Sequence, residues 1–119
     1  SVKRLTWRFC APPSVNRTRK MNWAAQPKIQ AWKNAVDNLL LAAWSGGNRP
    51  KPITGKFEAT IILSETATGI DLDNSPKQVL DMAKRLGLIV DDSRKYMRRV
   101  VIEWGVAPEG CRLILRPVE

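Results

Sequence analysis

Histidine is absent from this chain of 119 residues, and cysteine occurs only twice. The lack of histidine excludes histidine-ligated metal sites and the Ser-His and Cys-His forms of nucleophilic catalysis. Cys10 and Cys111 do not make a disulfide framework; both stand in apolar, strand-like contexts, so we expect small buried side chains. A catalytic metal ion in this chain must therefore be held by oxygen atoms, which favours Mg²⁺ or Mn²⁺.

Long apolar runs are also missing. The longest nearly apolar stretch, residues 39–44, is far too short to span a bilayer. Lys3 and Arg4 are not followed by an apolar segment of the length that a signal peptide requires. We therefore expect a cytoplasmic protein without a membrane-spanning segment. The chain length and the 44% hydrophobic content are typical of one globular domain, residues 1–119.

Hydrophobic periodicity predicts an α+β fold. Two amphipathic helices are expected, one opened by Pro27 and ended by Gly46 and Gly47, the other running from Ser75 to about Gly87. Counting the short apolar run 88–90 as a strand or strand-like return, we expect a mixed sheet of about five strands with both helices packed on it. The alternating segments that predict the other four strands are residues 3–9, 56–64, 98–106 and 111–116.

The same patterns assign the core and one turn. The side chains expected to face inward are Phe57, Ala59, Ile61 and Leu63 in the second strand, and Cys111, Leu113 and Leu115 in the last strand. Residues 107–110 have the composition of a hairpin turn between the last two strands. Of the tryptophans, Trp7, Trp32 and Trp104 fall on inward faces, whereas Trp23 lies in a basic loop and is a weaker candidate for stacking on a base. In the third long strand, the residues expected to share a side are Val100, Ile102, Trp104 and Val106.

The charge is strongly unbalanced, with 20 Lys and Arg against 11 Asp and Glu and a formal net charge of +9. Such an excess favours a polyanionic partner, most simply nucleic acid. A charge run is otherwise typical of a solvated face, and Tyr96 fits packing as well as stacking. The residues that we expect to contact DNA form two blocks. The first is Asn16, Arg17, Arg19 and Lys20, extended by Lys28 and Lys33, and the second is Arg94, Lys95, Arg98 and Arg99.

Acidic residues are concentrated in the middle of this basic chain. Asp71 and Asp73 point to the same side if the segment is extended, and neighbouring like charges are costly unless a cation neutralises them. A β-α-β excursion would then bring Asp92 near Asp73. Three carboxylates around Mg²⁺ would activate a phosphodiester for hydrolysis, which predicts a nuclease. The competing interpretation is that the acidic residues only cap the helix and form a turn.

Further candidate site residues lie close to these carboxylates in the sequence. Lys77 fits a point charge that stabilises the transition state at the scissile phosphate, or an ordinary solvated lysine. Asp81 lies one helical turn later and fits an ion-pair partner of Lys77 or a residue supporting the metal ligands. Asp91 and Asn74 are the other candidates for a supporting role.

The acidic motif resembles that of a known family. Asp71-Leu72-Asp73-Asn74-x-x-Lys77, followed by Asp81 and Asp91-Asp92, is similar to the motif of the RusA family of Holliday-junction resolvases. Pro12-Pro13-Ser14-Val15-Asn16 resembles the N-terminal loop of that family. The order of elements also agrees, so the resemblance spans essentially the whole chain. The chain departs from family members that carry a basic run before the acidic motif, because residues 67–70 are uncharged.

The resemblance implies a homodimeric endonuclease of bacterial or phage origin, which resolves four-way DNA junctions by paired symmetric nicks in recombination and repair. It implies Mg²⁺ as cofactor, with Mn²⁺ as a substitute, and Asp71, Asp73 and Asp92 as catalytic metal ligands. Lys77 would be the essential lysine. Two alternatives stay open, a non-catalytic nucleic-acid-binding module and a nuclease for other branched DNA such as flaps or forks.

A homodimer also agrees with elementary symmetry, because two symmetric cuts suit two active sites related by a two-fold axis. The first helix is more apolar than one sheet face needs. Part of this surface is expected either to meet a second copy or to be buried within the monomer; its apolar residues include Leu39, Leu40, Leu41 and Trp44.

Overall fold

The computed structural model describes residues 5–12, 25–47, 50–66 and 75–118. It confirms an α+β fold with a mixed sheet and two helices, and the described strands number four rather than the expected five. The elements are β1 (Leu5–Phe9), α1 (Ala25–Ala43), β2 (Phe57–Ser64), α2 (Ser75–Arg85), β3 (Met97–Gly105) and β4 (Cys111–Pro117).

The run 88–90, expected as a fifth strand, makes only one isolated parallel bridge, between Ile53 and Ile89. The Ile53 N–H donates to the Leu88 carbonyl at 2.8 Å. Leu88 and Ile89 are buried, whereas Val90 is exposed. This run therefore fills the core without extending a ladder, because the chain is passing from the end of α2 to the start of β3.

The strands lie in the order β1-β4-β2-β3. Strand β4 pairs antiparallel with β1 and β2, and β3 pairs parallel with β2, so the predicted hairpin between β3 and β4 is wrong. Residues 107–110 do form a turn, in which the Gly110 N–H donates to the Ala107 carbonyl at 2.8 Å. The Gly110 carbonyl then accepts from the Ser64 N–H at 3.0 Å, so this turn carries the chain past the end of β2 to its other side.

One face of the sheet is covered by the two helices. The Trp32 indole N–H donates to the Cys10 carbonyl at 2.8 Å, and its ring meets Phe9 edge-on at 6.2 Å between centroids, which fixes α1 to the end of β1. The predicted inward faces of β2 and β4 are confirmed. The core includes Trp7, Phe9, Trp32, Val36, Leu40, Phe57, Ala59, Ile61, Leu63, Val79, Leu80, Met82, Ala83, Cys111, Leu113 and Leu115.

Strand β3 lies at the edge of the sheet, and two of its apolar residues, Val100 and Trp104, are exposed. Register places Val100, Ile102 and Trp104 beside the buried residues of β2, so the predicted common side is confirmed. Trp104 is nevertheless 43% exposed and Val106 71% exposed, so the prediction of a core position for Trp104 is wrong. Alternation identifies the face of a strand, whereas burial also requires that a helix reach that part of the sheet.

The two cysteines differ. Cys111 is buried, as predicted, and burial raises the pKa of its thiol to about 12. Cys10 is exposed, so the expectation of a buried side chain is wrong there. It directly follows Phe9, whose side chain is buried in the core, so alternation along the chain directs Cys10 to the other side.

The first helix is only partly buried. Leu40 is buried, whereas Leu39 and Leu41 are 51% and 45% exposed, and Trp44 packs partly against the core. Neither helix, within the described residues, is long and apolar enough to cross a membrane.

Candidate functional site

The predicted site is only partly within the described residues. Lys77, Asp81, Asp91 and Asp92 are described, together with the second basic block. Among the described residues there is no group of three or more acidic or cysteine side chains that could hold a metal ion. The three-carboxylate site stays a prediction, because the remaining candidates lie outside the described ranges; these are Asp71, Asp73, Asn74, Asn16, Arg17, Arg19 and Lys20.

The described candidates lie on the crossover from β2 through α2 to β3. The two strands are parallel, as a β-α-β excursion requires. Gly87, two residues after the last residue of α2, has a φ of +78° and terminates the helix. The Leu88 N–H donates to the Ala83 carbonyl at 2.8 Å and the Gly87 N–H to the Lys84 carbonyl at 3.1 Å, the pairing of a Schellman motif. This termination turns the chain sharply, and the following residues return to the side of α2.

The returning chain brings Asp91 and Asp92 to one lysine of the helix. The Lys84 ammonium lies 3.5 Å from Asp91 Oδ1 and 3.7 Å from Asp92 Oδ1, so it bridges the two carboxylates. The negative charge of Asp92, followed by that of Asp91, raises the pKa of Lys84. Sequence reasoning missed Lys84, although its position seven residues after Lys77 places both on one face of the helix.

Hydrogen bonds within the loop favour the ionised form of Asp91. The Asp92 backbone N–H and then the Ser93 hydroxyl lower the pKa of the Asp91 carboxyl, and Lys84 lowers it further. The carboxylate form is therefore favoured at neutral pH. An ionised carboxylate is the form that ligates a hard cation, since ligands must be deprotonated to bind a metal.

The exposed side of α2 carries charges of alternating sign. Lys77, Asp81 and Lys84 are spaced by four and three residues, so they share this side. Lys77 is exposed and Asp81 is half-buried. In the described part of the chain Asp81 makes no ion pair with Lys77; its charge instead contributes to the raised pKa of Lys84. Lys77 is thus left facing solvent near the start of the helix.

The second basic block follows the acidic pair directly. The turn after Asp92 is closed by the Tyr96 and Met97 N–H groups, which both donate to the Ser93 carbonyl, at 3.0 and 2.8 Å. The four cations of this block, Arg94, Lys95, Arg98 and Arg99, are all exposed.

Side chains of this block support the turn. Arg98 Nη1 donates to the Arg94 carbonyl at 3.2 Å, and the Lys95 ammonium lies 5.5 Å from the centroid of the Tyr96 ring. Tyr96 itself packs partly against the core. Of the two interpretations left open for this ring, packing is the one that its surroundings favour.

No protein-family model and no curated protein sequence matches this chain significantly. Within the described ranges the chain combines the acidic pair Asp91-Asp92, the lysine that bridges it, and exposed cations before and after it in the sequence.

Proposed function

We propose that this chain is a Mg²⁺-dependent endonuclease for branched DNA, a RusA-type resolvase that nicks four-way junctions symmetrically as a homodimer. The observation that carries the proposal is the placement of Asp91 and Asp92 against the charged side of α2. They lie next to the basic turn, residues 93–96, in which Arg94 and Lys95 are exposed to solvent. A basic surface attracts the phosphate backbone, and carboxylates within that surface repel it unless a cation lies between them.

The donor chemistry of the site fits a hard divalent cation. Asp92, with Asp71 and Asp73 from the segment before α2, would hold Mg²⁺ through oxygen atoms alone. When bound, the ion would stabilise charge that develops on the phosphoryl group. Asp91 supports Asp92 by remaining ionised and by sharing the Lys84 ammonium.

The lysines of α2 have separate roles in this proposal. When neither metal nor DNA is bound, Lys84 offsets part of the negative charge of Asp91 and Asp92, which limits repulsion between the two carboxylates. Lys77 faces solvent near the helix start, where it is available to a phosphate oxygen of the substrate. The basic turn would contact the phosphates of a duplex arm and so position the scissile bond.

A non-catalytic DNA-binding module is the second candidate, and one observation favours it. Lys84 already contacts both Asp91 and Asp92, so these carboxylates have a cationic partner without any metal ion. In that case the acidic pair would only stabilise the start of the basic turn. The two candidates differ in whether the DNA is cut.

A synthetic four-way junction, labelled in turn on each strand, distinguishes the candidates. We expect paired symmetric nicks with Mg²⁺ or Mn²⁺ and none with EDTA. Tight binding without cleavage in either metal would support the binding module. Faster cleavage of flaps or forks than of junctions would instead support a nuclease for other branched DNA.

Variants test the assignment of residues in the same assay. Asp73→Asn and Asp92→Asn should each abolish cleavage while junction binding is retained, because each change removes a ligand charge and preserves side-chain shape. A matched control is Asp37→Asn, because Asp37 accepts hydrogen bonds at 2.7 and 3.2 Å from Arg85 in a bridge between α1 and α2. The control should still cut. Cleavage at the wild-type rate by Asp73→Asn would show that Asp73 is not a ligand.

A further inference from the structure

The outer edge of β3 has backbone groups that no described strand satisfies. Strand β3 is nine residues long and pairs on one side with β2. The Gly105 carbonyl accepts from the Glu65 N–H at 3.2 Å, so Gly105 and every second residue before it direct their backbone groups toward β2. The N–H and C=O groups of Val100, Ile102 and Trp104 therefore point away from the sheet. Such an edge is a template for pairing with another strand.

This edge is also apolar on one side. Val100 and Trp104 are 40% and 43% exposed, Ile102 lies between them, and Val106 continues the row beyond the strand. The other exposed leucines do not form such a row. Leu39 and Leu41 lie on either side of the buried Leu40, on opposite flanks of α1, because two residues turn a helix by roughly 200°. Among the exposed large apolar side chains of the described residues, those along the edge of β3 form a contiguous row.

The charges of β3 are complementary to those of a second β3. Arg99 and Glu103 lie on the side of the sheet opposite to the apolar row, and neither has an ion-pair partner within the described residues. Glu58, the neighbour of Arg99 in register, forms its ion pair with Arg116 on β4. In an antiparallel pair centred on Val101, each Arg99 would stand opposite Glu103 of the other copy, where opposite charges attract.

The same register satisfies the backbone and the apolar row. Val100 would stand opposite Ile102 of the second copy, and both direct their backbone groups outward, so the two residues can exchange hydrogen bonds. Trp104 would lie diagonal to Val100 of the second copy, within reach of an aromatic side chain. The bulge between β2 and β3 lies before Arg99, so it does not interrupt this segment.

We infer that β3 pairs antiparallel with β3 of a second copy of this chain, joining two sheets into one across a two-fold axis at Val101. Self-complementary charge selects a second copy rather than an unrelated strand, since a two-fold interface presents the same surface on both sides. This inference assigns a surface to the homodimer of the proposed function and gives Arg99 a role between the two copies in place of its expected DNA contact. It depends on neither cleavage nor DNA binding.

Sedimentation of the full chain, without DNA or divalent metal, tests the inference. The wild-type chain should be a dimer, and Arg99→Glu or Glu103→Arg alone should raise the dimer dissociation constant by about tenfold or more. The double variant Arg99→Glu/Glu103→Arg should restore dimerisation, because the pairs are re-formed with reversed sign. Leu39→Ser/Leu41→Ser is the matched control and should leave the dimer unchanged.

Three results would overturn the inference. The first is a double variant that dimerises as weakly as the single ones. The second is a dimer that only the control variant disrupts, which would place the interface on α1. The third is a monomeric wild type, and slow hydrogen exchange at Val100, Ile102 and Trp104 in that monomer would show that another part of the chain covers the edge. The cleavage assay is separate, so failure of the nuclease proposal would be recognised independently.

Discussion

The basic turn after Asp92 predicts a measurable salt dependence. Arg94 and Lys95 are both exposed, and the hydrogen bond within the turn uses the Arg94 carbonyl rather than its side chain. Arg94→Ala/Lys95→Ala should therefore preserve the fold and remove two phosphate contacts. Each contact contributes about 0.9 to the slope of log affinity against log salt, so the slope should fall in magnitude by about 1.8.

Fluorescence anisotropy with a labelled junction in EDTA can measure a change of this size in the salt dependence of binding. Over a fourfold change in salt, from about 50 to about 200 mM, a slope difference of about 1.8 amounts to about twelvefold in affinity. The wild type should lose about twelvefold more affinity over this range than the variant. Plain duplex should respond as the junction does, because phosphate contacts do not read sequence or branching.

A matched variant removes the same charge elsewhere. Lys51→Ala/Lys56→Ala deletes two exposed cations from another part of the chain, and its slope should stay close to that of the wild type. An unchanged slope in Arg94→Ala/Lys95→Ala would refute the reasoning. It would move the expected DNA path away from this turn and toward the N-terminal block of residues 16–20.

Three further predictions concern packing and ionisation. Leu63→Ala should lower the free energy of unfolding by about 2–5 kcal/mol in urea titrations, since Leu63 is fully buried in the centre of the sheet; a loss below about 0.5 kcal/mol would contradict this packing. An NMR titration should give the Asp91 carboxyl a pKa below that of an ordinary aspartate. The contacts of this carboxylate therefore stabilise the fold at pH values above the ordinary pKa, and this stabilisation is lost as the pH falls through the lowered pKa. Lys84→Met should raise the pKa of Asp91 part of the way toward the ordinary aspartate value, and an unchanged pKa would exclude the contact between Lys84 and Asp91. The Cys111 thiol should resist iodoacetamide at about pH 8 in the native protein and react in urea, because burial raises its pKa to about 12; rapid native labelling would contradict that burial.

Local patterns predicted which residues face the core, but they did not predict the order of the strands. Phe57 and Leu113 were placed inward correctly because alternation alone decides the face of a strand. The position of β3 at the edge depends on which strands pair, and that choice involves residues far apart in sequence. The exposure of Trp104 and the absence of a hairpin before β4 both follow from this order.

The candidate site was predictable to the same degree. The acidic and basic residues were identified from their types and spacing, and the β-α-β excursion followed from the helix between two strands. The contact of Lys84 with Asp91 and Asp92 was missed, since it depends on how sharply the chain turns at Gly87. A helical spacing predicts which side chains share a face, but not which loop returns to that face.

The pairing of β1 with β4 constrains how this protein is made. Strand β1 is the first of the sheet, and within the described residues its neighbour is β4, the last to leave the ribosome. At roughly 5–20 residues per second, the stretch from Ser64 to Pro117 takes roughly 3–10 s to synthesise. During that interval β4, which lies between β1 and β2 in the sheet, is missing, so these two strands cannot be joined, and at its start α1 is the one described helix already made that can cover their apolar faces. Such long-range pairing also slows folding after release, because distant segments must meet before their contacts stabilise the sheet.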